Sequence, residues 1–209
     1  MNQLLILGAG GHGKVVAETA EAGGWDKIAL LDDRYMDMDG TLRWPVLDEL
    51  ARAGQYISDF SHAFVALGSG EMRLACLDTI TELGFKIPVL AHPAAWISPS
   101  ASIAGGSVVM AGATVQADSK IGRGCIVNTG ANVDHDCHLE DGVHVCPGAS
   151  LAGGVSVGRC SWLGIGCSVI QEVGIGANVM VGAGSAVIRD IDENLKVAGV
   201  PAKVIGSHV

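Results

Sequence analysis

The chain has 209 residues, enough for one or two domains, with a formal net charge of −9 and a pI near 5.1. That balance leaves no basic stripe to neutralise phosphates, which argues against a nucleic-acid partner, and no run of about 18 apolar residues supplies a membrane-spanning helix. The opening MNQLLILGAGGHG has no basic region before its glycines and does not read as a signal peptide, and none of the six cysteines forms a CxxC pair, so reduced structural thiols and a cytoplasmic location are expected.

In chain order, residues 3–7 read as a short buried strand that ends at Gly8-Ala9-Gly10-Gly11-His12-Gly13. Lys14 to Ala22 reads as a helix stopped by Gly23-Gly24. Lys27 to Leu31 is a second strand ending in Asp32-Asp33, and Val46 to Ala53 is predicted as a short helix. A third strand at Ala63 to Leu67 ends at Gly68-Ser69-Gly70. Glu71 to Leu83 is a second helix, closed by Gly84, and Pro88 to Leu90 is a final strand. Strands alternating with helices predict a small parallel α/β (Rossmann-like) domain over residues 1–91, with ligands at the strand ends that carry Gly or Asp.

His92 to Ala95 reads as a joint. From Ile97 to Val187 every sixth residue is Ile, Leu or Val without a break, and the residue four places after each anchor is small or Val. A period of six fits neither a helix nor a hairpin sheet; it predicts a parallel β-helix over residues 92–192, about five turns and roughly 25 Å tall at about 4.8 Å per stacked strand. Gly122, Gly158, Gly164, Gly176 and Gly182 are expected to let its corners turn, and residues 193–209 to leave the column as a tail. The usual crossover rule, applied to spacing alone, predicts a right-handed coil.

One corner carries chemistry: Asn128-Thr129-Gly130-Ala131-Asn132-Val133-Asp134-His135-Asp136-Cys137-His138, with His144 soon after. His135 stands two residues past an inward anchor and should project outward between two carboxylates, which can orient an imidazole and stabilise its protonated form. The spacing His135-x2-His138-x5-His144 also suits zinc if the rings converge. At the N-terminus, Gly8, Gly10 and Gly13 sit between a strand and a helix, the context in which backbone amides cradle a phosphate. Asp32 and Asp33 could accept hydrogen bonds from a base or ribose, and His12 could meet the phosphate.

Taken together, GAGGHGKVV (8–16), LDD (31–33), ALGSGEMR (66–73), HPAAWISPSASI (92–103), NTGANVDHDC (128–137), VHVCPGASLAGGVSVG (143–158), WLGIG (162–166) and AGVPAKVI (198–205) resemble the bacterial nucleotide-sugar and sialic-acid acetyltransferases of the left-handed β-helix class. The resemblance runs nearly the full length and implies a left-handed coil. It also implies a homotrimer, with acetyl-CoA lying between columns and a nucleotide-linked amino sugar held by the N-terminal domain. By resemblance, Gly10, Gly11, His12, Asp32, Asp33 and Gly68 contact the nucleotide-sugar. His135 is the general base assisted by Asp136, though relatives often carry Glu there, and His144, Gly153 and Ile165 line the acetyl-CoA site, with no metal. N-acetylation of the sugar, at C4 and in surface-glycan synthesis, is the leading expectation; O-acetylation of a sugar hydroxyl, a non-catalytic role in a polysaccharide pathway, and a zinc enzyme on the same solenoid are the alternatives.

Overall fold

The computed structural model describes residues 2–38 and 43–208. The N-terminal domain is a four-stranded parallel sheet in which β1 (Gln3–Leu7) lies between β2 (Lys27–Leu31) and β4 (His62–Val65), with β3 (Val46–Asp48) at the edge beside β2. Strand β1 is apolar on both faces because both are covered. Leu4 and Ile6 pack with Val16, Ala17 and Ala20 of α1 (Gly11–Ala22), and Leu5 and Leu7 pack with Leu74, Leu77 and Ile80 of α2 (Gly70–Glu82). Ser69 caps α2 by accepting from the Met72 amide at 3.4 Å.

Three local expectations are corrected. Val46 to Ala53 is not a helix: Val46–Asp48 pairs with the open edge of β2, and Leu50–Tyr56 follows as a 3-10 helix. An edge strand offers ladder partners to backbone groups that a single marginal helical turn would leave to water. Helix α1 starts at Gly11, not Lys14, with Gly10 as its cap. Gly8 is the residue that needs backbone freedom (φ +108°), and a Cβ on Gly13 would collide with the Gly8 carbonyl, so these two glycines let helix and strand approach closely. The last predicted strand, now β5 (Leu90–Ala91), belongs to the other domain: it pairs with Val108–Val109.

The column therefore begins at Leu90, before the expected joint, and is a left-handed parallel β-helix. Two-residue strands stack into three faces. The docking face runs from β5 through Val108–Val109, Ile126–Val127, His144–Val145, Trp162–Leu163 and Met180–Val181. A polar face includes Thr114–Val115, Asn132–Val133 and Ser150–Leu151, and a third includes Lys120–Ile121, His138–Leu139 and Ser156–Val157. The sixth-residue anchors and the small-residue track form one buried cluster, in which each fully buried Val or Leu contributes about 1.5–3 kcal/mol. Serines on the small track are satisfied inside the column: the Ser119 hydroxyl donates to the Asp134 carbonyl at 2.6 Å and accepts from the Cys137 amide at 3.1 Å.

The corners turn elsewhere than expected. Every sixth residue from Gly106 to Gly184 has a positive φ, three places after each anchor, whether it is Gly, Asp118, Asp136, Cys160, Glu172 or Asn178. Gly122, Gly158, Gly164, Gly176 and Gly182 are absent from that set; a Cβ on any of them would press into the next coil, so they permit close stacking. The right-handed crossover rule fails here because it rests on a helix packing back on its own sheet, and these crossovers are short left-handed-region corners. Nor is the tail free of the column. Leu195–Ala198 pairs in parallel with Met180–Val181 and Lys203–Ser207 returns antiparallel along it, with Val209 outside the described residues.

Beside the apolar packing of Val108, Met110 and Ile126 against Val16, Ala17 and Ala20, one fully buried polar side chain ties the two domains together. Arg73, on α2, donates from Nε to the Gly124 carbonyl at 2.6 Å and from Nη2 to that of Gly142 at 2.7 Å, on successive coils of the column. Its Nη1 donates to the carbonyls of Leu67 and Gly68 at 2.7 and 2.9 Å, in the loop after β4. Leu74 and Leu77 lie against the side-chain-free corners Gly106, Gly124 and Gly142. Replacing Arg73 by Leu strands four carbonyls, and buried polar groups left unpaired cost about 1–3 kcal/mol each. Urea unfolding of Arg73→Leu at fixed protein concentration is expected to show a loss of about 3 kcal/mol or more, with Arg73→Lys intermediate; an unchanged midpoint for Arg73→Leu would show that the domains do not depend on this contact.

Candidate active site

His135 stands on the corner between the polar and third faces, its side chain 60% exposed. Nδ1 lies 2.8 Å from Asp136 Oδ2, and the backbone amide of His135 donates to Asp134 Oδ1 at 2.8 Å. With Nδ1–H donating to Asp136, Nε2 keeps the lone pair. The hydrogen bond to Asp136, and then the charge of Asp134, raise the His135 pKa above its ordinary value. Asp136 is itself the positive-φ residue of this corner (φ 57°), so the six-residue rhythm sets the carboxylate beside the ring; Asp tolerates that conformation better than most residues. Gly153, on the next coil, lies directly against the imidazole, and a Cβ there would overlap it.

A second cluster lies where the N-terminal domain meets the docking face. The His12 ring, from the glycine turn, is 6.4 Å from that of His144, which is 4.6 Å from Trp162. His144 Nε2 is 3.1 Å from the Asn128 side-chain amide, which donates to it and leaves the hydrogen on Nδ1. That Nδ1 and His12 Nε2 are buried with no partner among the described residues. Burial, then the positive charge of Arg73, push His12 down to about 4; the same causes, with His12 as a smaller contributor, push His144 down to about 3. Both rings are therefore neutral at neutral pH. Two orphaned ring nitrogens beside the N-terminus of α1 make an uncharged, polar-lined recess suited to phosphate or hydroxyl groups.

Of the residues singled out in the sequence, His135, Asp136 and Gly153 come together at one corner. Gly10, Gly11, His12, Asp32 and Asp33 gather at the ends of β1 and β2, where Gly11 has open space beside it and Gly10 faces Arg34. Gly68 is exposed after β4, and Ile165 stands 61% exposed on the corner leaving the docking face. His144 is not beside His135: the corner bearing His135 is opposite the docking face of the prism. His138 projects from the third face, and no group of three or more His, Cys, Asp or Glu is placed to hold a metal ion among the described residues. Sequence reasoning missed Asn128 as the His144 partner, Trp162, Arg34 and Arg73. The first two lie within the recurring motifs, but nothing in their spacing distinguishes them from ordinary column residues.

Residues 3–80 match the PglD N-terminal domain family. Over 98% of its length the chain superposes on the whole acetyltransferase domain of PglB from Neisseria gonorrhoeae, solved with acetyl coenzyme A, at a TM-score of 0.93 and 44% identity. It matches PerB of Caulobacter crescentus, solved with CoA and GDP-perosamine, at a TM-score of 0.94 and 40% identity, covering 99% of this chain and 98% of that one. Among curated sequences it is 40% identical over 117 residues to the UDP-N-acetylbacillosamine N-acetyltransferase of Bacillus subtilis, covering 53% of this chain. In such alignments the chain spans from 26% to 52% of the first curated relatives' own length.

The surroundings displace the histidine pKa values of the two clusters in opposite directions. In an NMR titration, Asp136→Asn is expected to lower the His135 pKa, because it removes the charge that stabilises the imidazolium; a pKa that stays put would show that Asp136 does not govern the ring. His12 and His144 take up protons on unfolding, so stability should fall as pH drops from 6.5 towards 3–4. His144→Gln should flatten that slope in urea titrations across the same window.

Proposed function

Because the chain belongs to the hexapeptide-repeat family of nucleotide-sugar acetyltransferases, we propose that it moves the acetyl group of acetyl-CoA onto the C4 amino group of a nucleotide-linked sugar. The observation that carries this reading is the outward His135 ring, held through Nδ1 by Asp136 and presenting an exposed Nε2. An amine attacks a thioester only as the neutral form. Nε2 accepts its proton, and Asp136, with Asp134 beside it, stabilises the imidazolium that results. CoA departs as a thiolate, so no covalent enzyme intermediate is needed, and the reaction is mainly one of orientation in a ternary complex.

Acetyl-CoA is a substrate here, and the residues at the corner fit it. Gly153 lets the His135 ring lie against the next coil, where any side chain would overlap it, and so fixes where a thioester must come to meet Nε2. A backbone amide near Gly153 is the donor we assign to the developing oxyanion. Exposed Ile165, on a corner of the column, offers apolar surface to a pantetheine arm. The recess between the domains, with the glycine turn, His12 and His144, is assigned to the nucleotide-sugar, and exposed Asp33, whose Oδ1 accepts from the Leu50 amide at 3.1 Å, can accept from it.

The prism geometry bears on assembly. His135 and the interdomain recess lie on opposite sides of one column, so one chain does not bring the base to the sugar. A trimer in which His135 of one copy meets the recess of the next resolves this, and the flat polar face, with its ladder of Thr114, Asn132 and Ser150, suits side-by-side packing. Free cysteines fit a cytoplasmic enzyme, and among the described residues no helix is long and apolar enough to cross a membrane.

The test is acetyl transfer from acetyl-CoA to UDP- and GDP-linked 4-amino sugars, followed by thiol release and product mass. His135→Ala is expected to lower kcat by about a hundredfold to ten-thousandfold with little change in KM for acetyl-CoA; near-wild-type kcat would remove His135 from the base role. O-acetylation of a sugar hydroxyl would instead give an alkali-labile ester, whereas the amide expected here survives mild alkali.

A further inference from the structure

We infer that Arg34, and not Asp32, is the side chain that reads the nucleoside end of the nucleotide-sugar. This rests on the nucleotide-sugar reading above and names a residue for it.

A carboxylate has about four acceptor positions, and those of Asp32 are taken. Its Oδ1 accepts from the Arg34 backbone amide at 3.1 Å and from Arg34 Nε at 2.9 Å. Its Oδ2 accepts from Arg34 Nη2 at 3.1 Å and from the Ala9 amide at 2.9 Å. Asp32 thus braces the glycine turn and clamps one guanidinium, with no acceptor position left over for a ligand. The clamp is two-pronged, so the Arg34 plane is fixed even though the side chain is 64% exposed. Nη1 keeps its two hydrogens without a partner among the described residues, and Nη2 stands 3.9 Å from where a Cβ on Gly10 would be.

In open parallel sheets of this kind the pyrophosphate takes the helix N-terminus, and the residue at the end of the second strand meets the ribose and base. An acid in that place accepts from ribose hydroxyls. A clamped guanidinium only donates, and its flat face can lie against a base ring. It therefore favours a base edged with carbonyl oxygens, as in uracil and guanine, over adenine, whose edge has none. The open space beside Gly11, and Gly10 with only Arg34 itself for a neighbour, leave that approach clear.

The experiment is calorimetric titration of the full chain with UDP, GDP and ADP, for the wild type, Arg34→Ala and Arg34→Lys, with thermal unfolding to confirm that each variant is folded. The wild type should bind UDP or GDP more tightly than ADP. Arg34→Ala should weaken the favoured nucleotide by about tenfold and lose the discrimination against ADP, with Arg34→Lys recovering only part because an ammonium cannot be clamped flat. In the acetyl-transfer assay the same variant should raise KM for the nucleotide-sugar and leave kcat at saturation and KM for acetyl-CoA unaltered. Equal nucleotide affinities for Arg34→Ala and wild type, or no binding of UDP and GDP by the wild type, would overturn the inference. Intact nucleotide binding without acetyl transfer would instead count against the proposed reaction and leave Arg34 its role.

Discussion

The seat of the α/β domain on the column, and with it the cluster of His12 and His144, depends on one buried cation. Arg73 has no carboxylate among its hydrogen-bond partners; it spends its donors on four backbone carbonyls, two in the loop after β4 and two on successive coils of the column. Carbonyl dipoles compensate a buried guanidinium when most of its donors are used and the geometry is tight, and four of the five N–H groups of Arg73 are bonded at 2.6–2.9 Å. The contact therefore locks the α/β domain in one position on the column, and with it the distance between the glycine turn and the docking face. It also contributes to the electrostatics of the recess: burial first, and then the charge of Arg73, keep His12 and His144 unprotonated.

That environment contrasts with the corner of His135. There the ring is exposed, two carboxylates flank it, and the proton is held more tightly than usual. Three histidines of one chain are thus divided by their surroundings into two neutral, buried rings and one exposed ring flanked by carboxylates, the one proposed as the base. The division follows the general rule that burial disfavours the charged imidazole and adjacent carboxylates favour it. It fits a reaction in which the recess holds a negatively charged substrate by polar contacts while a separate ring handles the proton.

The column serves as a ruler. Its corners place a left-handed-region residue every six positions, and at one of them that residue is Asp136. The orienting carboxylate is held by backbone conformation and by stacking against neighbouring coils, whose own residues are buried. Gly153 on the adjacent coil, having no side chain, lets the ring rest against the column. Positioning of this kind needs no flexible loop, and a rigid stacked scaffold suits a reaction governed by orientation.

Much of this was legible in the residues alone. The unbroken anchors from Ile97 to Val187 demand a stacked column because only a six-residue coil buries them all, and the placing of His135 two residues past Val133 already sends it outward. The alternation of strands and helices before residue 84 follows from their apolar runs and glycine stops. What the residues could not supply were long-range pairings. Val46–Asp48 becomes a strand only because the edge of β2 is open, and Leu90–Ala91 joins the column only because Val108–Val109 waits beside it. That Asp32 is saturated by Arg34 and Ala9, and that Arg73 reaches Gly124 and Gly142, depends on backbone groups brought near by folding. Local pattern determines which face of each element is apolar; the three-dimensional packing decides which polar groups are left with partners, and so which remain free for chemistry.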